Sequence, residues 1–151
     1  MEALAWQEHY LTGLPQIDDE HRRILELINL LDPDRIEFSP KQLGRTLDEL
    51  QSFIRRHFDH EQALMEEASY PMIGAHRRLQ SVFARRLEEF VARHRAGESI
   101  GVELHAMLQR WVVDHIHNDK SYSGQVYTHL RKVDAPRNSG WINRTMKMMF
   151  N

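Results

Sequence analysis

Residues 43–64 read LGRTLDELQSFIRRHFDHEQAL. Within them Leu43, Leu47, Leu50, Ile54, His57, Glu61 and Leu64 recur at alternating steps of four and three, the spacing of one face of an α-helix. Such a face is the side a helix buries against its neighbours. Yet His57 and Glu61 stand on it, and a carboxylate taken out of water without a partner costs several kcal/mol.

The rest of the chain repeats the pattern. Asp18 reads as the N-cap of a first helix, after a turn at Thr12-Gly13-Leu14-Pro15, with Asp19 and Glu20 suiting the helix dipole. Its stripe is His21, Ile24, Ile28 and Leu31, and Asp32-Pro33-Asp34 ends it. Ser39 and Pro40 are N-cap and first residue of the second helix, which runs to about Glu67. After a break at Tyr70-Pro71, a third helix runs from about Met72 to Arg95 and stops at Gly97, with Ile73, His76, Gln80, Phe83, Leu87 and Phe90 inward. A fourth starts near Ser99 or Val102 and continues to about Leu130, with Leu104, Leu108, Trp111, His115, Asp119, Tyr122 and Val126 inward.

No segment alternates as a strand would. Long amphipathic helices with short links predict an all-α fold, an antiparallel up-down-up-down four-helix bundle over residues 1–133 with an N-terminal arm to about Ile17. Residues 134–151 form a C-terminal extension. In it Trp141, Ile142, Met146 and Met149 share one face of a short helix, expected to pack on the bundle; residues 141–150 docking a protein partner or a membrane surface is the sharper reading.

All four inward stripes thus carry polar residues: His21, His57, Glu61, His76, Gln80, His115 and Asp119. One satisfied core histidine is ordinary, but seven such positions in register call for a common cause. A shared metal site neutralises the carboxylates and uses the imidazole lone pairs. His57 and Glu61, His76 and Gln80, and His115 and Asp119 are each four apart, so each pair faces one point. The chain has no cysteine, which leaves nitrogen and oxygen ligands. Four imidazoles and two carboxylates exceed the needs of one tetrahedral zinc and suit two iron-type ions. The remaining histidines, His9, His60, His94, His105, His117 and His129, are expected at the surface.

Other classes lose ground. A net charge of −2 gives no general attraction to nucleic acid, and pairs such as Arg77-Arg78 share their helices with acidic residues. No apolar run approaches the roughly 18 residues of an integral membrane segment. The opening residues Met1 to Glu8 lack the basic and apolar regions of a signal peptide, so the expected compartment is the cytoplasm. The Glu-x-x-His motifs of ferritin-like di-iron enzymes are absent.

The residues resemble the bacterial hemerythrins, of the HHE cation-binding family. Trp6, Thr12-Gly13-Leu14 and Ile17-Asp18 leading to His21 resemble the family's opening; His57-Phe58 with Glu61 resembles its second helix; Tyr70-Pro71, His76 and Phe83 its third; and Trp111 to Ile116 with Asp119 and Tyr122 its fourth. The resemblance spans about Trp6 to Leu130. It implies a non-heme di-iron centre, bridged by an oxo or hydroxo group and by the carboxylates of Glu61 and Asp119. His21 and His57 would hold the iron with the open position, where dioxygen binds reversibly, and His76 and His115 the other.

The implied function is dioxygen carriage, storage or delivery rather than enzymatic turnover. The alternative is an oxygen- or redox-sensing or interaction module.

Two positions depart from the family. Gln80 stands where a fifth histidine is usual, and Asp119 lies four residues after His115 where five is usual. Both fall on the same iron. A neutral amide oxygen is a weaker ligand than imidazole, so weaker binding or altered redox behaviour is expected there. Gln80 could ligate through that oxygen, leave the position to water, or yield it to a neighbour.

Overall fold

The computed structural model describes residues 2–35 and 38–133, and the side chains of all of these but Val133. The extension over residues 134–151, with its expected terminal helix, lies outside the described residues. Four helices make the fold: α1 (Pro15–Leu30), α2 (Pro40–Glu67), α3 (Ile73–Arg95) and α4 (Gly101–Val133), preceded by a 3-10 turn at Glu8–Tyr10. None of them is long and apolar enough to cross a membrane.

Local chemistry sets the ends. Ser39 caps α2 by accepting a hydrogen bond from the Gln42 N–H at 3.1 Å, with Pro40 as first residue. The sequence expectation for this helix therefore holds at both ends. α3 closes with Gly97 at φ +88°, where the Gly97 N–H reaches the His94 carbonyl and the Glu98 N–H reaches that of Arg93. This is the Schellman arrangement, which favours glycine because the left-handed region crowds a Cβ. α2 ends in the same way, but Ser69 occupies the left-handed position at φ 52°.

The start of α1 corrects the sequence reading. The helix begins at Pro15 with Leu14 as N-cap, so Asp18 lies inside it, buried. Asp18 still serves the N-terminus: its Oδ1 accepts hydrogen bonds from the Thr12 N–H and hydroxyl, each at 2.8 Å. A capping-type residue is legible, but proline at the first helical position sets the boundary four residues earlier. The arm ahead of it is fastened by Asn29, whose side-chain amide bonds both the N–H and the carbonyl of Leu4 at 2.9 and 2.8 Å.

The core divides in two. One cluster holds Ile24 and Ile28 of α1, Leu50 and Phe58 of α2, Phe83 and Leu87 of α3, and Leu104 and Ile116 of α4. The other holds Leu14, Ile17, Leu64, Met65, Tyr122 and Val126, with Ile73 packed on it. The second cluster gathers the start of α1, the end of α2, the start of α3 and the far half of α4. That alternation is the signature of antiparallel up-down-up-down helices. Between the two clusters, on every helix, lie the polar stripe residues.

His105 is a second correction. Expected at the surface, it is 3% exposed in α4, and its Nε2 has no hydrogen-bond partner among the described residues. It stands next to Leu104 in a helix that is enclosed over a wide face there, with Met107 and Leu108 also buried.

Candidate metal centre

Five of the seven residues picked out from the sequence converge. One ligand atom from each of His21, His57, Glu61, His115 and Asp119 lies within 4.8 Å of every other, and all five residues are buried. α1 supplies one imidazole, α2 an imidazole and a carboxylate, α4 the same pair. His21 Nε2 donates to Asp119 Oδ2 at 2.8 Å, and His115 Nε2 lies 2.9 Å from the same oxygen. Glu61 Oε1 touches His57 Nε2 and lies 3.2 Å from His115 Nε2. The Nε2 atoms of His57 and His115 are 2.9 Å apart.

α3 completes the ring less tightly. His76 Nε2 stands 4.0 Å from Asp119 Oδ1, and neither atom has a hydrogen-bond partner. That gap is about twice a metal–nitrogen or metal–oxygen bond of roughly 2.0–2.2 Å. Gln80, 5% exposed, turns its Oε1 to Gln62, whose amide donates to it at 2.6 Å, while its own Nε2 is unpartnered. Its oxygen is therefore engaged by α2.

The four-residue step from His115 to Asp119 is absorbed without distortion. α4 is continuous α-helix through both, and residues four apart share a face. Asp119 is 0% exposed in the middle of the cluster.

Electrostatics agree with a site built for cations. Burial opposes ionisation of Asp119, yet His115, His21 and His57 beside it hold its carboxyl well below the usual range. Burial likewise opposes a charge on His115, but Asp119 and Glu61 outweigh it and raise the imidazole to about 9. His57 is pushed up against the same burial by Glu61, Asp119 and Glu20. His21 moves the other way, since desolvation exceeds the help from Asp119.

An outer set of residues fixes the inner one. Glu20 accepts from His57 Nδ1 at 2.7 Å and from His60 Nδ1 at 2.8 Å. Despite partial burial, those two bonds bring the Glu20 carboxyl down to about 2. Tyr122 donates its hydroxyl to Glu61 Oε2 at 2.8 Å, and burial followed by the nearby carboxylates keeps the phenol protonated. Trp111 stacks between Phe83, at 3.7 Å and 9°, and His115, at 4.7 Å and 19°.

The donor set fits a pair of hard or borderline cations: imidazoles, two carboxylates, no thiolate, and orphaned buried atoms at His76 and Asp119, 4.0 Å apart. Comparison with known proteins agrees. The profile of the hemerythrin HHE cation-binding domain matches residues 12–122.

The chain belongs to the hemerythrin HHE family.

Among named hemerythrins, the bacteriohemerythrin of Stenotrophomonas maltophilia (strain R551-3) is 40% identical over 152 residues, covering 99% of both chains. That of Pseudomonas paraeruginosa (strain DSM 24068 / PA7) is 36% identical with the same coverage. The myohemerythrin of Theromyzon tessulatum is 27% identical over 83% of this chain and 95% of its own. A wild-type hemerythrin crystal structure shares the fold, with a TM-score of 0.76 at 23% identity over 83% of this chain and 98% of that one.

Some residues around the cluster carry no mark in the sequence. Glu20 was assigned to the helix dipole; its place directly before His21 was the available signal. Gln62 lies next to Glu61 but off the stripe, and nothing in the spacing marks it as Gln80's partner. His60, expected at the surface, is part-buried on Glu20 and not among the converging donors.

Proposed function

We propose that this chain is a dioxygen-binding protein with a non-heme di-iron centre, and that it binds rather than turns over its ligand. The observation that carries this is the convergence of five buried nitrogen and oxygen donors from three helices between two apolar clusters. His21 and His57 are proposed to hold one iron, His76 and His115 the other, and Glu61 and Asp119 to bridge them. Two ferrous ions, when bound, supply the electrons that reversible dioxygen binding needs.

The protein's own residues do the rest. Glu20 holds the His57 ring through Nδ1, leaving Nε2 turned to the centre. Tyr122 takes one oxygen of Glu61 and leaves the other for a cation. His21 and Glu61 are 0% exposed, so the His21–His57 side is closed to bulk water, the condition for releasing dioxygen unchanged. Residues 1–133 are proposed as the binding unit, with residues 134–151 as an extension of it.

The test is direct. The reduced, iron-loaded chain should contain about two irons and develop a visible absorption band in air that fades on deoxygenation. Iron near zero, or a spectrum unmoved by air, would overturn the reading.

A further inference from the structure

The part of the centre that opens outward is not the part assigned to dioxygen. A cleft of about 390 Å³ runs between α3 and α4, and its walls include His76, Gln80, His115 and Asp119. His21, His57 and Glu61 are absent from those walls. It therefore leads to the ion proposed for His76 and His115, the one whose usual fifth imidazole is replaced by Gln80.

We propose that this second ion accepts a small monovalent anion with a lone-pair donor, of the azide, nitrite or formate class, entering through the α3–α4 cleft. The inference rests on the di-iron reading above.

Three observations carry it. First, Gln80 is held off: its Oε1 is bonded to Gln62 at 2.6 Å, so a coordination position is left open on that side. Second, Gln80 is one of the cleft's lining residues, and its buried Nε2 has no hydrogen-bond partner, which leaves its N–H groups free to donate to an incoming anion. Third, Arg86 and Arg110 line the same cleft, both exposed, and form no ion pair among the described residues. Asp114 is the one carboxylate on the walls besides Asp119. Two iron ions facing two carboxylates would leave a net positive centre in either oxidation state, and a cleft with cationic walls concentrates anions toward it.

The probe is azide, added to the full chain loaded with iron and oxidised, followed by calorimetry and by visible absorption. The unaltered chain is expected to bind two azides, and Gln80→His one, because the new imidazole fills the open position. Removing both charges, Arg86→Ala with Arg110→Ala, is expected to weaken the second azide about tenfold at low salt while iron content and oxygenation stay those of the unaltered chain. Val82→Trp, at a cleft position 57% exposed and outside the donor set, is expected to slow entry of that azide alone.

A single azide in the unaltered chain, or a second one indifferent to the loss of both arginines, would overturn the inference while leaving the dioxygen reading intact if two irons and reversible oxygenation persist. Iron well below two per chain would overturn the dioxygen reading itself, and this inference with it.

Discussion

Glu20 Oε1 lies 2.7 Å from His57 Nδ1, so the residue immediately before one converging imidazole on α1 steers another on α2. Its second oxygen takes His60, and the carboxylate thus ties the first two helices together beside the centre. Carboxylates behind metal-binding histidines fix ring orientation and raise basicity, and their loss typically costs roughly 10–100-fold in metal affinity. Glu20→Ala is expected to weaken iron binding within that range, with Glu20→Gln recovering part of it. Competition against a chromophoric chelator measures this; equal affinity in all three proteins would show that His57 needs no such support.

Tyr122 reports on the other carboxylate. Tyr122→Phe leaves a buried Glu61 oxygen without its donor, at a cost of about 1–3 kcal/mol. Thermal melts of the ion-free chain should show a clear fall in Tm. A melt superimposable on that of the unaltered chain would mean that Glu61 is satisfied some other way.

The stabilities of the loaded and ion-free chains should draw apart as pH rises. His115 sits at about 9 in the ion-free chain, above its ordinary value of 6.5. A raised histidine stabilises the fold fully below its unfolded value, and that contribution is lost as pH climbs through the folded one. The ion-free chain is therefore expected to lose stability between about pH 6.5 and 9. Over the same range a metal ion meets less competition from the proton, so the loaded chain gains relative to it. Calorimetric Tm differences between loaded and ion-free protein should widen as pH rises; a constant difference would contradict the linkage.

Ser69 offers a test remote from the chemistry. At φ 52° it occupies a region that costs an L-residue roughly 1–2 kcal/mol, a cost glycine avoids. Ser69→Gly, after the entropy it adds to the unfolded chain, is expected to stabilise by about 0.5–1 kcal/mol. Chemical denaturation would detect this as a raised midpoint with unchanged slope. A lowered midpoint would show that the serine contributes a contact worth more than its strain.

The core needs a reference. Leu50 is 0% exposed in the larger apolar cluster, so Leu50→Ala should cost about 2–5 kcal/mol. Because it lies away from the polar layer, the loss should be similar in loaded and ion-free protein. Denaturation of both forms checks this, and a loss confined to one would mean that the cluster and the centre are energetically coupled.

Much of this architecture was readable in the chain because bundle helices write their inner face into a fixed spacing. Leu43 to Leu64 gave the register of α2 and, with it, the places where polarity interrupts the core. The same spacing picked out all five converging donors. It could not separate residues by their partners. Gln80 and Gln62 meet across two helices, so no single stripe shows that their amides pair. Glu20 points back from the edge of α1, where periodicity has nothing to say. His105 failed for a related reason: a two-state division into inner and outer faces misplaces residues on a helix enclosed over a wide arc, as α4 is around Leu104 to Gln109.

α4 carries His115, Asp119 and Tyr122 on one unbroken helix that extends fourteen residues past Asp119 to Val133. At 1.5 Å per residue that is about 21 Å of stiff rod beyond the centre. The rod makes α4 a pointer: a tilt of about three degrees pivoting at Asp119 displaces its tip by about 1 Å, so rearrangements too small to notice among the donors arrive magnified where the helix ends.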